Sequence, residues 1–341
     1  MSVAHIRTDL LTWYDANRRD LPWRAAVGEK PDPYRVWLSE IMLQQTTAAH
    51  ATPYFVAFTS RWPTVEALGR AKTSDVMAAW SGLGYYARAR NLMACARQVT
   101  ETGGVFPSAE ADLRALPGIG QYSAAAISAI AHGEATNVVD ANVQRVIARL
   151  FAVETELPAA ARELKVLAER LVRPERAGDW PQALMDLGAL VCRPLVALCG
   201  ECPIAPHCLA RSRGEPQTYP KRRPKADRPA RHGVAYVMTH ARRVAMIQRP
   251  TRGLLGGMLG LPTSEWREGS WNMNEAVAAA PMALNWCVAG TVHHMFTHFS
   301  LTLDVLSGGA TTADPSFLWM LQGEARSAAP TVFRKAIALG L

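Results

Sequence analysis

The chain has 341 residues, 49% apolar and 19% charged, with a formal charge of +8. That length exceeds one average domain and leaves room for a sizeable core, so two folded domains are expected. No apolar run reaches the ~20 residues of a membrane span and the first residues lack a signal-peptide core, so the expectation is a cytoplasmic protein with a polyanionic partner.

From the N-terminus onward, apolar residues recur at i, i+3 and i+4. The first clear case is YRVWLSEIMLQQT, residues 34–46, which predicts a helix. Glu40 is the single charge in its apolar run VWLSEIML. Among apolar side chains a carboxyl has its pKa raised, because desolvation disfavours the anion, and it can then serve as a general acid near neutral pH. The alternative is a helix-face glutamate reaching solvent or Arg35. The adjacent LQQTT crowds the helix end with hydrogen-bonding groups. SDVMAAWSGL, residues 74–83, continues the helical pattern. Cys95 beyond it, like Cys287 far downstream, has apolar or aromatic neighbours and reads as a buried small hydrophobe.

LPGIGQYSAAAI, residues 116–127, places a proline and two glycines before a small-residue helix start. It describes a tight hairpin between helices, of the kind that holds a DNA backbone. Next comes NVVDANVQRVIARLF, where Asp140 stands between an extended VV pair and a helix start. Asp140 is either an ordinary N-cap or a second carboxylate brought opposite Glu40. Such a pair, an acid plus an anion that stabilises a sugar cation, is what glycoside hydrolysis requires. Helices follow in ARELKVLAERLV and PQALMDLGALVC.

Four cysteines then fall in CRPLVALCGECPIAPHC, at Cys192, Cys199, Cys202 and Cys208, spaced C-x6-C-x2-C-x5-C. Disulfides do not suit a reducing cytoplasm, which leaves a tetrahedral zinc or a [4Fe–4S] cluster. Zinc ribbons use two C-x2-C knuckles and only one is present, so the spacing favours the cluster without excluding zinc.

Residues 211–232 hold eight Arg/Lys against Glu215 and Asp227, six of the eight net positive charges, together with four prolines. This stretch reads as an extended basic linker. Beyond it HGVAYVMTHARRVAMIQRP predicts two short strands around a turn, and VHHMFTHFSLTLDVLSG alternates with period two. NEAVAAA and PTVFRKAIALG add helices. The expected architecture is an all-helical domain over 1–210, a linker over 211–232, and a small α+β domain over 233–341.

The hairpin LPGIGQYSA, the VVDANVQRV that follows it and the four-cysteine spacing together resemble the helix-hairpin-helix DNA glycosylases of the endonuclease III superfamily. Within that superfamily, LPWR, DPYRVWLSEIMLQQT, GLGYYARARNL, QALMDLGALVC and RPTRGLLGGMLGLP resemble the MutY-type adenine DNA glycosylases, and these motifs span nearly the whole chain. The resemblance implies a [4Fe–4S] cluster on the four cysteines, double-stranded DNA carrying A:8-oxoguanine or A:G mispairs as substrate, and a monomer associated with the nucleoid. Bifunctional relatives place a Schiff-base lysine where this chain has Tyr122. Tyrosine forms no imine, so base removal without strand cleavage is expected.

The same resemblance implies individual roles. Glu40 would protonate N7 of a flipped-out adenine and later assist water, and Asp140 would stabilise the sugar cation, with Tyr122 and Asn142 hydrogen-bonding nearby. Arg24, Trp23, Leu43 and Gln182 would form the adenine pocket. Gln45 and Tyr85 would wedge into the duplex, Thr46 and Leu83 would lie beside the opposite base, and Gly118 and Gly120 would let backbone N–H groups meet a phosphate. The C-terminal domain resembles a NUDIX module lacking the hydrolase carboxylates, with Phe296, Thr297 and His298 as its 8-oxoguanine-reading loop. Three departures stand out: Thr297 for a serine, Ala141 for a glycine after the aspartate, and Thr47 for a glutamine. The competing readings are a monofunctional glycosylase for thymine or uracil mispairs and a catalytically inactive damage sensor.

Overall fold

The computed structural model describes residues 2–223, 228–250, 253–296 and 298–341, and the chain divides into two compact units, Met1–Arg223 and Pro224–Leu341. The first unit is helical throughout. Its first half contains α1 (Val3–Asn17), α2 (Pro33–Leu43), α3 (Ala48–Arg61), α4 (Val65–Gly69), α5 (Thr73–Ala79) and α6 (Ala87–Glu101). Its second half contains α7 (Glu110–Arg114), α8 (Gln121–His132), α9 (Ala141–Leu150), α10 (Ala161–Glu169), α11 (Asp179–Leu190) and α12 (Leu209–Ser212). All six helices expected from periodicity are present, each shorter or shifted at its ends. Two large apolar cores and a smaller cluster around Ala125, Ala126, Ala129 and Val138 hold the unit. One core gathers Trp37, Leu38, Phe55, Phe58, Trp80 and Leu92 from α2–α6, and the other Leu10, Tyr14, Val146, Ile147, Leu184 and Leu187 from α1, α9 and α11.

Local chemistry sets the elements that matter most. Asp32 caps α2 by accepting from the Tyr34 N–H at 2.9 Å, with Pro33 at the first helical position. The helix stops at Leu43 because Gln45 takes a left-handed backbone, φ 58°. Between α7 and α8 the chain turns at Gly118, φ 77°, where a Cβ would sit 2.7 Å from the Asn91 Cβ. Only glycine meets both conditions. The run Ser123–Ala129 of α8 is buried on every side, and its alanines let α8 pack against α2, α7 and α11.

Among its described residues the second unit is a mixed sheet with three helices. Its strands are β1 (Ala230–His240), β2 (Arg243–Gln248), β3 (Leu259–Gly260), β4 (Cys287–Met295), β5 (Ser300–Gly309) and β6 (Leu318–Leu321), in the order β3-β2-β1-β5-β4 with β6 beside β2. β1 runs parallel to β5, and the remaining pairs are antiparallel. The helices are α13 (Met273–Ala278), α14 (Gln322–Ala328) and α15 (Thr331–Gly340), the last burying Val332, Phe333, Ala336 and Ile337 on the sheet. The expected strand pair around Ala241–Arg242 forms, with φ 44° and 63° at those two residues. The alternating run 292–308 falls in two antiparallel paired strands, β4 up to Met295 and β5 from Ser300.

Two expectations need correction. Residues 211–223 are not an extended linker: Ser212 ends α12, Tyr219 is 1% exposed, and the Lys221 carbonyl accepts from the Leu157 N–H at 2.9 Å. A buried tyrosine and a backbone bond pin this basic segment to the first unit, despite its prolines. Residues 224–227 of the same stretch lie outside the described residues. Cys95 is buried as expected, but Cys287 is exposed, because it starts β4 at the edge of the sheet.

Candidate active site

A cleft of about 820 Å³ opens in the first unit, lined by parts of α2, α8, α9 and α11 and by the segments before and after α2. Glu40, Tyr122, Asp140, Asn142, Trp23, Arg24, Leu43, Gln45, Thr46 and Gln182 all line it. Residues scattered from 23 to 182 are thus brought into one cleft.

Glu40 is 7% exposed. Burial pushes its carboxyl up to about 7, the Tyr122 hydroxyl pulls it partway back, and the charge of Asp140 adds to the rise. The solvent-facing alternative does not occur: Arg35 turns instead to the Pro22 carbonyl and lies over the Phe55 ring. Burial, then the neighbouring Glu40 and Asp140, hold the Tyr122 phenol well above its ordinary value, so it remains a neutral O–H donor. Asp140 is an N-cap and a cleft residue at once. One oxygen accepts from the Val143 N–H at 2.6 Å and the other from the Asn142 amide at 3.0 Å. Ala141 opens α9 and has no positive φ, so its replacement of a glycine strains nothing.

Behind Arg19 and Arg24, which line the cleft, lies a charge network that the sequence reading missed. Asp186 is fully buried and binds both guanidinium nitrogens of Arg24, at 2.6 and 2.8 Å, and Nε of Arg19 at 2.6 Å. Burial alone would raise the Asp186 carboxyl; the Arg24 and Arg19 bonds outweigh it and hold it below the usual carboxylate range. A signal was present, since Asp186 is an acid within the apolar run ALMDLGAL, as Glu40 is in its own. Arg145 was also missed. It binds Asn142 Oδ1 at 2.9 Å, the Gly188 carbonyl at 2.7 Å and the Cys192 carbonyl at 2.8 Å.

Of the residues expected at the duplex, Gln45 and Tyr85 are exposed, and both have left-handed backbones, φ 58° and 50°. Gly118 and Gly120 are exposed at the hairpin, and nothing lies within 4 Å of a Cβ built on Gly120. Leu83 is 5% exposed and belongs to the first apolar core. In the second unit Phe296 is packed among Trp266, His294 and Phe299, its N–H bonds the Phe299 carbonyl at 2.9 Å, and His298 is exposed. Thr297 lies outside the described residues.

Cys192, Cys199, Cys202 and Cys208 line one small cavity with Arg149, whose Nη1 approaches Cys192 Sγ at 3.1 Å. Burial pushes the Cys202 thiol up to about 12 and raises Cys208 as well. Among the described residues, no three His, Cys, Asp or Glu side chains converge closely enough to hold one metal ion.

A model of the HhH-GPD superfamily of base excision DNA repair proteins matches residues 38–174, and a NUDIX domain model matches residues 233–339. The adenine DNA glycosylase of Homo sapiens is 33% identical over 98% of this chain and 73% of its own length. That of Mycolicibacterium smegmatis is 40% identical over 63% of this chain and 72% of its own. A solved thermostable thymine-DNA glycosylase superposes with a TM-score of 0.56 at 31% identity, covering 62% of this chain and 97% of that one. The likeness read from the motifs therefore extends to both units, and among the described residues no helix is long and apolar enough to cross a membrane.

Proposed function

The chain belongs to the adenine DNA glycosylases, enzymes of base excision repair that remove adenine, and from that membership we propose that its substrate is adenine opposite 8-oxoguanine or guanine in double-stranded DNA. The observation that carries the chemistry is Glu40, a buried acid with a pKa near 7 in the same cleft as Asp140. With the base extruded into the cleft, protonated Glu40 gives its proton to adenine N7. The N-glycosidic electron pair then leaves with the base, and Asp140 faces the resulting sugar cation. Two donors, the Val143 N–H and the Asn142 amide, hold that carboxylate in place. Water adds to the cation, and the Glu40 carboxylate takes up the proton released. Tyr122 supplies a hydroxyl and no amine, so the sugar–phosphate backbone stays intact.

Arg24, Trp23, Leu43 and Gln182 form the base pocket in this reading, with Asp186 fixing the Arg24 guanidinium. Gln45 and Tyr85 wedge into the duplex at the gap left by the extruded base, and Thr46 and Leu83 lie beside the opposite base. Extrusion breaks stacking and pairing worth a few kcal/mol, so an inserted side chain is needed to hold the duplex open. Gly118 and Gly120 present backbone N–H groups to a phosphate. In the second unit Phe296, Thr297 and His298 would meet the 8-oxoguanine, with Phe296 packed among Trp266, His294 and Phe299.

Cys192, Cys199, Cys202 and Cys208 suit a [4Fe–4S] cluster. Four cysteines line one cavity, and their C-x6-C-x2-C-x5-C spacing has a single C-x2-C knuckle where a zinc ribbon uses two, which supports the cluster over zinc. When bound, such a cluster cross-links four points of the chain and keeps the loop between α11 and α12 folded. The thymine-DNA glycosylase likeness supports a second reading, thymine removal from T:G. Single-turnover excision from A:8-oxoguanine, A:G and T:G duplexes decides. Fastest release from A:8-oxoguanine, with strand breaks only after alkali, is expected; faster release from T:G would overturn the proposal.

A further inference from the structure

Arg88 lies in the first turn of α6 and is 9% exposed. Among the described residues it has no carboxylate partner; its guanidinium is spent on backbone carbonyls of two separate segments. Nη1 donates to the carbonyls of Ile41 at 3.1 Å, Met42 at 3.0 Å and Gln44 at 2.6 Å, at the end of α2. Nη2 donates to those of Leu83 at 3.0 Å and Gly84 at 3.3 Å, in the loop before α6. The last carbonyls of a helix lack partners within it and carry the negative end of its dipole, so a buried cation there is favourable.

The residues that follow these carbonyls are the point. Gln44 precedes Gln45, and Gly84 precedes Tyr85, the two exposed side chains assigned above to the duplex. Each is a non-glycine residue with a left-handed backbone, a strained conformation that persists only where its surroundings over-determine it. The Arg88 guanidinium supplies that determination on both sides, with its carbon 5.5 Å from the Tyr85 ring centre and 5.3 Å from that of Trp80. A planar fork reaches two segments at once; an ammonium, with three donors from one point, does not.

We infer that Arg88 is a positioning residue that locks the 41–45 and 82–86 segments into one rigid unit, so that Gln45 and Tyr85 enter the duplex together. The inference rests on the assignment of those two side chains to the duplex. The test measures base extrusion by fluorescence of 2-aminopurine beside the target adenine, together with single-turnover excision, in Gln45→Ala, Tyr85→Ala and their double variant, each with Arg88 and with Arg88→Lys.

With Arg88 present the two alanine effects are expected to be strongly non-additive, and R88K to lower extrusion about tenfold and remove that coupling. Affinity for undamaged duplex and the pH midpoint of excision set by Glu40 should not move in R88K, although a merely unfolding change would lower the affinity. Additive effects with Arg88 present, or coupling that survives in R88K, overturn the inference. The coupling measured with Arg88 present decides by itself should R88K fail to fold. Single alanine variants that leave extrusion untouched would instead show that the duplex assignment is wrong, and the inference would fall with it.

Discussion

Replacing Glu40 by glutamine separates what that carboxyl does from what it costs the fold. In the folded chain its pKa is raised from 4.5 to about 7, first by burial. A raised carboxyl pKa means the native state binds the proton more tightly than the unfolded chain. The stabilisation is complete below pH 4.5 and is lost as pH rises through 7, where a buried anion replaces a buried acid. At ~1.4 kcal/mol per pKa unit, a rise of ~2.5 units amounts to roughly 3 kcal/mol. For a unit of this size that corresponds to about 6–12 °C in Tm. Glutamine stays neutral throughout. The Tm of E40Q minus that of the wild-type chain should therefore climb by that amount between pH 4 and pH 8. Thermal unfolding of both proteins across that range measures it. In parallel, wild-type excision in a single turnover should fall about tenfold per pH unit above 7, while E40Q loses ~10²–10⁴-fold in rate. A Tm difference that is flat with pH, or wild-type excision that keeps rising beyond pH 8, would refute the assignment of Glu40 as a buried acid.

Other outcomes follow from the same geometry. Asp186→Ala leaves the largely buried Arg24 without its partner, and the first unit should lose about 3–5 kcal/mol of stability, measured by denaturant unfolding. The two hairpin glycines should separate. Gly118→Ala combines φ 77° with a contact to Asn91 and should lower Tm. Gly120→Ala meets open space at φ −88°, so Tm should hold while affinity for a mispaired duplex drops about tenfold. Purified protein should be brown, with absorbance near ~400 nm from thiolate-bound iron. Cys202→Ser should lose iron on elemental analysis, and a colourless wild-type chain with one zinc would contradict the cluster.

Much of the site could be read from the sequence because its residues sit inside strong local patterns. Glu40 stands out as a charge in an apolar helix, and Asp140 occupies a helix start whichever role it has. The four cysteines declare themselves by spacing. What escaped was carried by residues that look ordinary in sequence. Arg88 reads as one of several arginines in GLGYYARARNL, and its five carbonyl acceptors come from two segments, one of them more than forty residues away. Asp186 reads as a polar helix position until Arg24 and Arg19, over 160 residues earlier, are seen to close on it. The basic stretch misled for the opposite reason: its composition describes a solvated tether, but buried Pro216 and Tyr219 outweigh it.

The sequence by itself determined the periodicities, the caps, the turn glycines and the residue types available for chemistry, since each depends on neighbours a few positions away. It also settled that no amine stands at position 122. The tertiary structure alone decided that Glu40 is dehydrated enough to hold a proton near neutral pH, that Asp140 faces the same cleft, and that Leu83 belongs to the core. Dehydration and field come from groups distant in the chain and close in space, and no local pattern records them.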